Sequence, residues 1–236
     1  LDGITADLGS AAGWDAMYQE VCVKNGKPLW MSETDWSGNA GDWKGMMDHH
    51  SQIYSALKWG KVSAWIYWGM ETFFTGTTPT PMMYVCKHYM RFIRPGYKQI
   101  EVTENDSEIG ALGFINPTTN DITIVVINTS TKNPKTFSFN NFINKPAYFD
   151  MYRSSATENC AYVGKYTGNS FDLPAYSVVT LYFNASETGW QWSPSPPANL
   201  MVTDTTDNSI SISWASPGSW TLHSPSGNTS VAITGY

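Results

Sequence analysis

Two short apolar runs, Pro28-Leu29-Trp30-Met31 and Val62-Ser63-Ala64-Trp65-Ile66-Tyr67-Trp68, each stand between stretches whose apolar residues recur at helical spacing. Upstream of the first run, Trp14, Met17, Tyr18 and Val21 share one helical face, and Asn25-Gly26-Lys27-Pro28 supplies the stop. Between the runs, Met46, Met47, His50, Ile53, Tyr54 and Leu57 form a second such face, closing near Gly60. After the second run, Tyr84, Val85, His88, Tyr89, Phe92 and Ile93 form a third, stopped by Arg94-Pro95-Gly96. The order helix, strand, helix, strand, helix restricts the fold sharply, because strands joined through helices pair in parallel. Runs that are apolar almost throughout predict strands covered on both faces. Two strand–helix units are too few to close a barrel or a sheet. The chain starts at Leu1 without an initiator Met and reads as beginning mid-protein.

The pattern changes after residue 96. Tyr97–Val102, Ile109–Ile115, Ile122–Asn128, Thr136–Phe142, Ala147–Arg153 and Ser177–Phe183 read as short strands, separated by turns such as Asn116-Pro117, Asn133-Pro134 and Gly168-Asn169. That spacing predicts an antiparallel β-sandwich. Glu187 to Pro197 is a linker rich in Pro, Ser and Trp. Beyond it, Leu200-Met201-Val202 and Ser209 to Trp214 look like the first two strands of another sandwich. Four zones follow: 1–96 as α/β, 97–183 as a β-sandwich, 184–197 as a linker and 198–236 as a further, truncated β-module.

Composition narrows the partner. Charged residues make up 14% of the chain, against roughly 25% in an average soluble protein. Aromatic residues also reach 14%, with 11 Trp and 13 Tyr. Flat rings with a polar edge suit stacking on sugars. The net charge of −6 and the lack of any Lys/Arg run argue against nucleic acid. No apolar stretch reaches the roughly 18 residues of a membrane span. Cys22, Cys86 and Cys160 lack metal-site spacing. His49-His50 and isolated His88 read as packing or helix-surface residues, so no metal or other cofactor is expected.

The first strand run ends in Ser32-Glu33-Thr34-Asp35. A carboxylate at the C-terminal end of a parallel strand stands where α/β barrels carry their chemistry, although a helix-capping or loop role fits the position equally well. Glycoside hydrolysis needs such a group, paired with a second carboxyl that protonates the leaving oxygen. On the second strand, Trp68 would reach the same face and could floor a sugar subsite, while Trp65 suits packing or a pocket wall.

Lys27-Pro28-Leu29-Trp30-Met31-Ser32-Glu33, Ala64-Trp65-Ile66-Tyr67-Trp68 and Phe92-Ile93-Arg94-Pro95-Gly96-Tyr97 resemble, in order and spacing, three blocks of glycoside hydrolase family 30. Ile122 to Asn128 and Leu173 to Thr180 are similar to its side domain, so the resemblance covers about residues 25 to 183. It implies the C-terminal part of a (β/α)8 barrel with a side β-domain, secreted, acting on a polysaccharide by the retaining mechanism. Glu33 takes the nucleophile position, and Trp68, Trp65, Tyr67, Trp36 and Glu71 are the expected substrate-binding residues. The family's acid/base Glu follows its fourth strand, which would lie upstream of Leu1. Xylanases of the family often grip a glucuronate branch with Arg after the eighth strand, whereas here Gly69 to Thr77 holds Glu71 and no Arg or Lys. A neutral xylan-like chain is therefore expected, with a β-1,6-glucan or β-1,6-galactan as the alternative and a non-catalytic carbohydrate-binding protein as the reading from another class. Pro196 to Trp214 resembles the start of a fibronectin type III module.

Overall fold

The computed structural model describes residues 11–34, 42–140, 142 and 144–185, together with the backbone of four strands between residues 201 and 234. The chain forms two units, residues 1–189 and 190–236.

The first unit opens with α1 (Ala11–Tyr18), continued by a wider π-helical segment to Lys24. Asn25 caps it, and Gly26 follows at φ 62°, a left-handed conformation that favours glycine. Then come β1 (Trp30–Thr34), α2 (Trp43–Lys58) and β2 (Ala64–Tyr67), with β1 and β2 paired in parallel as the sequence order requires. Asp42 starts α2 by accepting from the Lys44 amide at 3.1 Å. A 3-10 turn over Met70–Phe73 leads to a hairpin of β3 (Phe74–Thr75) and β4 (Thr78–Pro79). α3 (Pro81–Met90) follows, with proline in its first turn where no amide partner is lost.

The antiparallel part comprises β5 (Lys98–Ile100), β6 (Ile109–Ile115), β7 (Ile122–Asn128), β8 (Lys135–Ser138), β9 (Phe149–Ser155), β10 (Glu158–Tyr166), β11 (Ser170–Leu173) and β12 (Ser177–Phe183). Six of them form one sheet in the order β10-β9-β12-β7-β6-β5, and β11 pairs with β8 separately. Phe137 and Phe171 of the smaller pair, with Phe139 beside them, reach Phe149 of the larger sheet. The other face of the large sheet packs on the helices. Met46, Ile53, Met82 and Val85 share one core with Leu112, Phe114, Val125, Ile127 and Val178, and Trp65 and Tyr67 of β2 lean on that same core. α2 and α3 are thus the layer that both sheets touch.

Polar bonds pin this layer. Lys58, at the end of α2, meets both carboxylate oxygens of Glu104 at 2.8 Å, with side chains only 11% and 13% exposed. Tyr54 Oη and the Ala111 amide also donate to that carboxylate. His88 on α3 is fully buried, its ring nitrogens 2.7 Å from Thr180 Oγ1 and Ser154 Oγ. Trp43 Nε1 donates to the Tyr176 carbonyl at 2.8 Å.

Several expectations need correction. β1 and β2 are covered on one face only: Trp30, Ile66 and Trp68 are 59%, 48% and 66% exposed. The helices occupy one side, and no described element lies on the other. β10 and β11 were not anticipated, since they break the period of two or alternate only briefly. Of the two roles expected for His49, His50 and His88, packing and helix surface, burial gives packing to all three. Asn128 builds a turn: its buried amide donates to the Asn133 and Pro174 carbonyls at 3.0 Å. All three cysteines are free thiols.

The second unit holds β13 (Met201–Thr206) with β14 (Ser209–Ser213) and β15 (Ser219–His223) with β16 (Ser230–Thr234), each pair antiparallel. Four strands thus stand where the sequence reading identified two. Residues 186–200, which include all of the expected linker (184–197) but its first two residues, lie outside the described residues.

Candidate active site

Parallel pairing aligns Met31 with Trp65 and Thr34 with Tyr67. Two residues, Ser32 and Glu33, therefore stand opposite the single residue Ile66. This is a β-bulge, a device that re-aims side chains and gathers beside active sites. The ladder resumes beyond it, where the Trp68 amide donates to the Thr34 carbonyl at 2.8 Å. Met31 and Thr34 face the helices, whereas Ser32 and Glu33 are both exposed. Glu33 lies inside β1, one residue before its end, and the bulge turns it outward.

β2 divides its aromatic residues by alternation. Ile66 and Trp68 are exposed; Trp65 and Tyr67 turn to the helices. There, His49 meets Trp65 at 5.2 Å and Tyr67 at 5.3 Å between ring centroids, both edge-on, while Trp65 and Tyr67 stack at 6.1 Å. Phe73 closes the cage on Tyr67 at 5.4 Å. Burial holds the His49 imidazole down at about 4 and that of His88 at about 3, so both are neutral near pH 7. Among the described residues, Thr34 Oγ1, Trp59 Nε1, Trp65 Nε1, both His49 ring nitrogens, His50 Nε2 and Gln52 Oε1 are buried without a hydrogen-bond partner. All seven belong to β1, β2, α2 or the residue that caps α2, and none to the antiparallel sheets.

Glu71 is exposed on the 3-10 turn after β2. A Cβ placed on Gly69 would stand 2.7 Å from Glu71 Cδ, so the carboxylate curls back over the Gly69 backbone. That brings a negative group to the end of β2, next to Trp68. Of the expected site residues, Glu33, Trp68 and Glu71 thus sit exposed toward the C-terminal ends of the two strands. Trp65 and Tyr67 form their backing, and Trp36 lies outside the described residues, as does Asp35. His49, expected as a packing or helix-surface residue, packs behind β2 against Trp65 and Tyr67.

An exposed carboxylate, a free indole face and a curled-back carboxyl group can bind a sugar by stacking and hydroxyl hydrogen bonds, and can attack an electrophilic carbon. No group of three or more potential metal ligands occurs among the described residues, and no described helix is long and apolar enough to cross a membrane.

No family model matches the chain. Over 174 residues it is 26% identical to the glucuronoxylanase XynC of Bacillus subtilis (strain 168), matching 67% of this chain and 40% of that protein. Its fold resembles that of a GH30 endoxylanase from Clostridium papyrosolvens C71 with a TM-score of 0.61 and 25% identity, covering 78% of this chain and 52% of that one. A conserved exported protein from Bacteroides fragilis shares the fold at a TM-score of 0.63 and 17% identity, over 77% of this chain and 45% of its own. The chain therefore spans about half the length of these relatives, or less.

Proposed function

We propose that this chain carries the nucleophile-bearing part of a secreted, retaining glycoside hydrolase of family 30 that cleaves a neutral, xylan-like β-linked polysaccharide. The observation that carries the reading is the bulge at Ser32-Glu33, which projects a carboxylate from a parallel strand onto an open face bearing Trp68. The similarity to a glucuronoxylanase and to a GH30 endoxylanase supports it.

In this reading Glu33 attacks the anomeric carbon as the glycosidic bond breaks, giving a covalent glycosyl-enzyme. Water then displaces the sugar from the opposite side, which restores the starting configuration and frees the carboxylate. The proton for the leaving oxygen comes from a carboxyl group in the portion of the relatives that this chain does not span. Trp68 carries a sugar ring, and the cage of His49, Trp65, Tyr67 and Phe73 holds β2 rigid behind it. The open apolar face fits one arc of a (β/α)8 barrel, whose inner face remaining strands would cover. The paired hairpins β13–β14 and β15–β16 fit a fibronectin type III module, and the exported neighbour agrees with secretion.

Glu71 favours a neutral chain. A glucuronate branch near the end of β2 would meet a carboxylate there, with no Arg or Lys on that loop to pair with it. Hydrolysis rates on unbranched xylan, glucuronate-branched xylan and β-1,6-glucan test the substrate, and proton NMR of the first-formed sugar tests the mechanism. Strict dependence on glucuronate would overturn the neutral assignment, and an inverted product would remove the nucleophile.

A further inference from the structure

The far end of the same strands holds a second concavity. A groove of about 540 Å³ runs between the end of α2 and the edge of the six-stranded sheet. Trp59 and Lys61 line one wall; Gln99, Glu101 and Thr103 line the other, with Asp15 of α1 at the side. Trp59 and Lys61 precede β2, whereas Trp68 and Glu71 follow it. The four residues of β2 rise about 13 Å, so the groove is distinct from the candidate active site and opens at the opposite end of the parallel pair.

Its chemistry is selective. Lys58 on the floor is held by Glu104 and by the Val102 carbonyl, and it offers little to a ligand. The remaining charges are Asp15, Glu101 and Lys61, a balance that disfavours an anion. β5 is the end strand of its sheet, so among the described residues no strand pairs with the outer side of Lys98–Ile100. No described residue hydrogen-bonds the side chains of Gln99, Glu101 or Thr103. Donors and acceptors in alternation match a sugar, whose hydroxyls do both, and the half-buried Trp59, packed on the Trp14 and Leu29 core with the Lys58 ammonium over its ring, adds an apolar edge for its C–H groups. An edge of three residues is short for strand addition by a peptide. The volume falls within the usual range of ligand sites, about 300 to 1,000 Å³.

We infer that the groove between Trp59 and the β5 edge is a second binding site for a neutral oligosaccharide, which would hold the polymer while another stretch of it is cleaved. The choice of sugar rests on the glycosidase reading above; the geometry of the groove does not.

The test uses the full chain carrying Glu33→Gln and Trp68→Ala, which removes the candidate active site without touching the groove. β-1,4-Xylohexaose is titrated while the indole NMR signal of Trp59 is followed. The expected result is a saturable shift of that signal. Gln99→Ala/Glu101→Ala/Thr103→Ala should weaken binding at least fivefold with an unchanged melting temperature, and Thr103→Trp, which fills the groove, should abolish it. No shift of Trp59 up to millimolar sugar, or binding unaltered by the triple change, would overturn the inference. So would a shift produced by an unstructured peptide and not by the sugar. Xylan hydrolysis by the unaltered chain's relatives-length protein, measured in parallel, separates the two readings: cleavage without groove binding removes only the second site, and groove binding without cleavage removes only the glycosidase.

Discussion

Lowering the pH from 7 to 5 should destabilise this fold through its buried histidines. His49, His50 and His88 are all fully buried. Burial depresses each of them, His49 to about 4, His88 to about 3 and His50 well below its ordinary 6.5. The unfolded chain then binds more protons than the folded one below pH 6.5. Stability is complete above that pH and falls as the pH drops toward the folded values. Each such histidine contributes a slope approaching 1.4 kcal/mol per pH unit, so His49 and His88 each cost about 2 kcal/mol at pH 5. Their sum of about 4 kcal/mol, with His50 adding in the same direction, is a large share of the 5–15 kcal/mol that holds an ordinary domain together. Carboxylates titrate mainly below this window, which isolates the histidines. Urea unfolding followed by tryptophan fluorescence at pH 8, 7, 6 and 5, at low protein concentration, gives the slope directly. His88→Gln keeps hydrogen-bonding groups for Thr180 and Ser154 and should remove about one proton's worth of it. A stability that stays level between pH 7 and 5, or an identical slope in His88→Gln, would show that the reasoning about burial is wrong.

Other predictions follow from particular contacts. Lys58→Met leaves the Glu104 carboxylate poorly exposed and without a cation, and should cost about 3 kcal/mol in urea unfolding. Gly60→Ala would place a Cβ 2.8 Å from the Ala56 carbonyl oxygen and 2.5 Å from the Trp14 ring, so it should cost about 2 kcal/mol. Trp68→Ala should lower kcat/KM on xylan by roughly tenfold or more, about 1.4 kcal/mol, with little change in melting temperature, whereas Trp65→Ala should lower the melting temperature, since it undoes the stack on Tyr67 and the edge contact with His49. The open face with Trp30, Ile66 and Trp68 should make residues 1–236 self-associate when alone, and a monodisperse monomer in sedimentation would contradict that.

Much of the framework was legible because local chemistry and tertiary need agree. β6, β7 and β12 coincide with their apolar runs, since turn residues bound each of them and both of their faces are buried. The helical faces of α2 and α3 read correctly for the same reason. β10 escaped because it is an edge strand with two irregularities, at Cys160 (φ 48°) and Gly164 (φ 132°), which destroy its alternation. The bulge at Ser32-Glu33 could not be read at all, because a bulge is a relation between two strands and not a property of one. The different roles of Trp68 and Trp65 were partly legible, since Trp68 read as a sugar floor and Trp65 as packing or a pocket wall. Tyr67 stayed among the substrate-binding residues because the whole run is apolar, which suggested two covered faces where the described structure covers one.

The role of Glu33 has a direct measurement. A 2-deoxy-2-fluoro-xylobioside with a dinitrophenolate leaving group reacts without a proton donor, since that group departs as a stable anion, and the fluorine slows release of the adduct. Incubation followed by proteolysis and mass spectrometry should find the sugar esterified to the peptide bearing Glu33, and Glu33→Gln should abolish the label. Label on any other carboxylate, Glu71 included, would contradict the account.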